Sequence, residues 1–216
     1  MKKNKILLTI LCILGIVELT LVGCTKTNPK EDNHHKEKIT VHKEHSAPAK
    51  QEMATEIKVG LAGFGNVGKG TYDILKRNHS LIRQRAGAPI SVKRVTVRNV
   101  DRVKLLVDED VIVTNDWHDL VNDPEVNVVV EAMGGIEPAK SLILAAIDAG
   151  KHVVTANKAL LAEHGNEIFS AAQTKGVNVA FEAAVAGSIP IVKALREGLA
   201  ANRVSSIAGI INGTCN

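Results

Sequence analysis

The chain has 216 residues, 45% of them hydrophobic and 23% charged, with a formal net charge of +4 at pH 7, the composition of a globular protein. The basic excess lies at the N-terminus: residues 1–52 hold 9 of the 27 Lys and Arg and 6 of the 23 Asp and Glu, leaving 18 against 17, or +1, for the rest. A near-neutral remainder and five aromatic side chains in all supply neither the basic footprint nor the stacking platform of a nucleic-acid binder, so no nucleic-acid partner is expected.

The chain opens on Lys2, Lys3 and Lys5, followed by an apolar run from Ile6 to Val17 and then Leu21-Val22-Gly23-Cys24. That is a secretory leader pattern, and its last four residues resemble the lipobox of bacterial lipoproteins. The alternative is an uncleaved anchor or a chance extension. A transmembrane span is disfavoured because Glu18 interrupts the run, and a charge deep in hydrocarbon costs about 2.5–3.5 kcal/mol. Residues 25–52 are Lys-, Glu- and His-rich with almost no apolar side chains, so they are expected to form a disordered polar tether. His34, His35, His42 and His45 could chelate a metal only loosely on such a segment, and a solvated tether is preferred. Cys12, Cys24 and Cys215 are too scattered for a disulfide framework or a CxxC metal site.

At Met53 the character changes, as at the start of a cytosolic enzyme. A strand is expected over Ile57–Ala62, followed by Gly63-Phe64-Gly65-Asn66-Val67-Gly68 and a helical stretch from Thr71 to Arg83. This is GxGxxG in a strand–turn–helix setting. Gly63 would permit the tight turn, Gly65 the approach of a pyrophosphate and Gly68 close helix packing, with phosphate on the helix N-terminus. Further strands are expected over 91–97, 111–114, 126–131, 152–155 and 177–182, most of them separated by helices. One of these helices has Pro138 in its first turn, an apolar face of Ala139, Leu142, Ala146 and Ile147, and Gly150 as its stop. Strands alternating with helices predict an α/β protein with a Rossmann-type, doubly wound parallel sheet.

An acidic residue about 20 positions beyond the glycines would select the ribose hydroxyl of NAD. It is missing. The second strand runs instead into Arg98, whose guanidinium could pair with a 2′-phosphate, favouring NADP over NAD; a solvated surface arginine is the alternative.

Four further motifs, Glu131-Ala132-Met133-Gly134-Gly135, Thr155-Ala156-Asn157-Lys158, Glu182 to Pro190 and Asn212-Gly213-Thr214, resemble the homoserine dehydrogenase family in order and spacing. The resemblance covers residues 53–216. It implies reduction of the small-molecule substrate aspartate 4-semialdehyde to homoserine by NADPH or NADH, in amino-acid biosynthesis. It places Phe64, Asn66 and Val67 in the cofactor loop, Arg98 at the adenosine phosphate, and Thr155 and Lys158 at the nicotinamide side. Lys158 is the catalytic candidate, a cation placed to polarise the carbonyl oxygen; a lysine merely starting a helix is the alternative. Glu182, Val185, Gly187 and Ile189 match positions that hold a monovalent cation, Na or K, largely through main-chain carbonyls.

Beyond the leader, 1–24, and the tether, 25–52, the resemblance implies an NAD(P)-binding domain over 53–187 and, from 188–216, the start of an α+β substrate domain. In the family that domain continues past this point, supplying substrate-binding acids, a second catalytic lysine and most of a homodimer interface. The chain is therefore expected to bind cofactor but to reduce substrate poorly or not at all. Rival readings are a membrane-tethered, non-catalytic dinucleotide-binding module, or another Rossmann-type oxidoreductase. The leader points to a membrane and the family's metabolism to the cytoplasm.

Overall fold

A computed structural model of the protein describes residues 55–187 and 189–209. The expected leader, the tether with its four histidines, Ser188 and Asn212-Gly213-Thr214 lie outside the described residues.

Six strands form one sheet: β1 (Ile57–Ala62), β2 (Ile90–Thr96), β3 (Ile112–Thr114), β4 (Val128–Glu131), β5 (His152–Thr155) and β6 (Val179–Ala180). Their order is β3-β2-β1-β4-β5-β6, and every pairing is parallel. Parallel neighbours require crossovers, here made by the helices α1 (Asn66–Arg77), α2 (His79–Ala86), α3 (Val100–Lys104), α4 (Trp117–Asn122), α5 (Ala139–Asp148) and α6 (Lys158–Lys175). The chain leaves β1 for β2 on one side and later crosses back to β4 on the other. A crevice thus opens between the carboxyl ends of β1 and β4, the topological switch point where open α/β sheets bind ligands.

Helices cover both faces, so strands that alternate side chains still read as continuous apolar runs. In β4, Val128 and Val130 join the cluster containing Leu61, Tyr72, Leu75 and Ile82, while Val129 joins Leu120, Leu142, Ile143 and Ile168 on the other face. Helix α5 packs as its periodicity requires: Ala139, Leu142, Ala146 and Ile147 are all buried, Pro138 is its N-cap, and Gly150 follows its end at φ +73°.

The strands expected over 91–97 and 111–114 lie within one residue of β2 and β3, and three expected elements differ by more. The helix expected over 71–83 starts earlier, at Asn66, and breaks at Asn78, whose ψ of 19° leaves the helical region between α1 and α2. Its first turn is Gly-rich and lacks an amphipathic pattern, which hides the start. The strand expected over 177–182 pairs only through Val179–Ala180, because at Phe181 the backbone turns (ψ 25°) into a 3-10 turn, Glu182–Ala184. The one expected over 126–131 pairs only from Val128, since the Val126 N–H is turned back to the Asp123 carbonyl. Beyond the 3-10 turn lie a short helix α7 (Ile191–Lys193) and a π-helical turn, Ala194–Gly198.

Register places one row of residues across the carboxyl end of the sheet: Thr114, Thr96, Ala62, Glu131 and Thr155. This row is the floor of the crevice.

Candidate cofactor-binding site

The glycine turn sits directly above that floor. Gly63 donates its N–H to the Thr96 carbonyl at 2.9 Å and has φ +96°, and a Cβ there would stand 2.6 Å from the Ala132 carbonyl oxygen. A Cβ on Gly68 would lie 2.1 Å from the Gly63 carbonyl oxygen. Both positions are closed to side chains by the fold itself. Gly65 is different: its φ of −76° suits any residue, and a Cβ there meets nothing within 4 Å. The protein's own packing does not require glycine at 65, so its bare backbone faces open space where a ligand can approach. In a Rossmann turn the second glycine is where the backbone approaches a pyrophosphate.

Helix α1 begins one residue later. Its first turn has no acidic residue and no side-chain cap, and Lys76 and Arg77 lie in its last turn. Its leading N–H groups and the positive end of its dipole therefore favour an anion at the turn. Asn66 is exposed, and Val67 packs against the core below. Phe64 leans on Tyr72, ring centroids 5.7 Å apart, which holds the turn against the helix.

Arg98 is exposed just past the end of β2, beside the glycine turn's own strand. On the next strand end, Asp116 accepts the His118 N–H and contacts its ring Nδ1 at 2.6 Å, and these bonds hold its carboxyl below the ordinary range.

Across the crevice, Thr155 ends β5 and is fully buried, whereas Lys158 is exposed as the first residue of α6. Sequence reasoning missed what joins them. Glu131, fully buried at the end of β4, accepts hydrogen bonds from the N–H groups of Met133 (2.8 Å) and Gly134 (3.1 Å) and from the Thr155 hydroxyl (2.6 Å). The Thr155 Oγ1 accepts from the Asn157 N–H at 3.0 Å. Asn157 donates its Nδ2 to the Gly135 carbonyl at 2.6 Å and caps α6 through the Leu160 N–H. The available signal was an acid closing an otherwise apolar strand.

The four residues matched to a cation site fall in one loop past the edge strand β6. Glu182 is buried, and its carboxylate accepts the N–H groups of Val192 (2.9 Å) and Lys193 (3.0 Å). Its side chain is thus committed within the chain. Val185 and Ile189 are exposed, Gly187 lies between them, and the Ile189 N–H reaches the Ala186 carbonyl at 2.9 Å. Among the described residues no group of three or more His, Cys, Asp or Glu is placed to hold a metal ion. No helix among them is long and apolar enough to cross a membrane.

A parallel sheet in this order, with a glycine turn and an uncapped helix N-terminus at its switch point, defines a domain of the Rossmann, dinucleotide-binding type. Residues 63–182 match the family model of the homoserine dehydrogenase NAD-binding domain, and the chain belongs to that family. It is 54% identical over 161 residues to the homoserine dehydrogenase of Pseudomonas aeruginosa, a match covering 74% of this chain and 36% of that enzyme. A crystal structure of a homoserine dehydrogenase from Thiobacillus denitrificans superposes with a TM-score of 0.70 at 57% identity, covering 75% of this chain and 37% of that one. The S. aureus enzyme superposes with a TM-score of 0.57 at 35% identity, over 61% of this chain and 34% of its own. The chain thus spans just over a third of these relatives' length.

Proposed function

We propose that this chain is the cofactor-binding part of a homoserine dehydrogenase and that it binds NADPH in preference to NADH. The observation that carries this reading is Gly65, a glycine that the fold does not need, open to space at the N-terminus of α1. The N–H groups of the Phe64–Val67 turn hold the pyrophosphate, and Arg98 holds the 2′-phosphate through its guanidinium fork. Thr155 and Lys158 lie on the nicotinamide side. When bound, the cofactor would supply a hydride to the aldehyde carbon of aspartate 4-semialdehyde, and a proton delivered to the resulting alkoxide, from solvent or from the substrate domain, would complete homoserine. Lys158 sits at the carboxyl end of the sheet and stabilises the developing alkoxide. A sodium or potassium ion is held by main-chain carbonyls of Glu182, Val185, Gly187 and Ile189, as suits a hard cation. The complete enzyme works as a homodimer in the cytoplasm, where amino-acid synthesis and NADPH supply coincide.

The test is a titration of the full chain with NADPH and with NADH, read by the fluorescence of the reduced nicotinamide, beside Arg98→Ala. Saturable binding with preference for NADPH is expected, and Arg98→Ala should weaken NADPH by about tenfold while leaving NADH unchanged, since one charge-assisted pair is lost. An equal effect on both cofactors would remove Arg98 from the 2′-phosphate. Repeating the titration with and without potassium or sodium tests the cation loop; loss of that dependence in the Ala186 to Ile189 segment's deletion would support it, and no ion effect at all would contradict it.

A further inference from the structure

Glu131 is the one charged member of the residue row that forms the crevice floor, where its neighbours are Thr114, Thr96, Ala62 and Thr155. Full burial of a carboxylate is costly, and a well-packed apolar residue of similar volume is often as stable or better. What the carboxylate gains is geometry. Its three partners, the N–H groups of Met133 and Gly134 and the Thr155 hydroxyl, all donate to it.

The first residue of the loop after β4 is tied to β1 by the Ala132 N–H on the Ala62 carbonyl at 2.8 Å, and beyond it the bonds to Glu131 shape the turn. Gly134 and Gly135 both stand in the left-handed region, at φ +73° and +74°. The loop's side-chain anchors are Glu131 on its N–H side and Asn157 Nδ2 on the Gly135 carbonyl. The loop's first carbonyl, that of Ala132, is the group that a Cβ on Gly63 would strike, so the loop is the wall facing the glycine turn. Through Thr155 and Asn157 the same network reaches the cap of α6, the helix that Lys158 begins.

Building on the cofactor reading above, we propose that Glu131 is a positioning residue: its buried carboxylate sets the 132–135 loop and the start of α6 as one unit, and so orients the nicotinamide half of the dinucleotide. The adenosine half lies on the other side of the glycine turn, by β2 and Arg98, and does not depend on it.

The experiment compares two ligands on the full chain, NADPH and adenosine 2′,5′-bisphosphate, which carries only the adenosine half. Glu131→Gln keeps the shape and removes the charge. Thr155→Val removes the hydroxyl that links β4 to β5, and Thr155→Ser keeps it. Thermal unfolding of each variant is recorded alongside. Glu131→Gln and Thr155→Val should each weaken NADPH by about tenfold, leave the bisphosphate unchanged, and Thr155→Ser should bind NADPH as the parent does. Equal losses for the two ligands would make Glu131 a general support of the fold, and no loss for either would deny it any role; each result overturns the proposal. If the parent chain bound neither ligand, the cofactor reading itself would fall, and this proposal with it.

Discussion

Lys158 places an ammonium group on the first turn of α6, beside the positive end of the helix dipole. A cation there opposes the dipole by about 0.3–1 kcal/mol, and nothing in the packing of an exposed side chain repays that. Lys158→Met is therefore expected to raise the unfolding midpoint slightly while lowering carbonyl reduction by the complete enzyme. A fall in stability would make Lys158 a structural residue. The three glycines of the turn separate in the same way. Gly63 and Gly68 are closed by contacts inside the chain, whereas Gly65 is left open. The motif was legible in the sequence, but this division of labour was not, because it depends on which backbone atoms the turn brings within reach. The role of Glu131 was not legible, because its partner on β5, Thr155, comes from strand register, which spacing along one chain does not contain.

At the scale of elements, β1 and β5 were legible to the residue because β-branched runs bounded by turn residues mark a doubly covered strand. The break at Asn78 was not, since apolar side chains suitable for packing continue on either side of it, from Leu75 to Ile82. The amino-terminal ends of the strands are tied by charges that no periodicity reveals. Arg94 reaches Asp123 Oδ2 through Nε and a terminal nitrogen at 3.1 and 3.0 Å, and buried Lys151 donates to the carbonyls of Asp123 and Val126, both at 2.7 Å. Burial pushes the Lys151 ammonium below its ordinary pKa. Glu125, in the turn before β4, pairs with Lys58 of β1 and with Lys93 of β2. The Lys58 hydrogen bond, then that of Lys93, brings its carboxyl from 4.5 down to about 2. A depressed carboxylate favours the folded state above its unfolded pKa and loses that contribution as pH falls through the folded one. The stability difference between the parent and Glu125→Gln should accordingly shrink as pH drops from 4.5 towards 2, when followed by urea unfolding. A difference independent of pH would show that the ion pairs are fully screened in solution.

For the whole molecule, alternation of strands and helices made the doubly wound parallel sheet legible, whereas the order β3-β2-β1-β4-β5-β6, which locates the crevice, comes from the strand pairing. What lies beyond the cofactor half was legible only through resemblance: the loop after β6 has no periodic signature, and its carboxylate turned out to bond the start of α7. There, a cleft of about 480 Å³ opens between β6, the end of α6 and the segment from Val192 to Glu197. Cofactor binding itself rests on the glycine turn. Its most direct test is NADPH binding to the full chain and to Gly65→Val, with circular dichroism to follow unfolding. Because a side chain at 65 meets nothing in the protein, the variant should fold with an unchanged midpoint yet lose saturable NADPH binding. A folded Gly65→Val chain that binds NADPH as tightly as the parent would mean that the pyrophosphate does not lie on this turn.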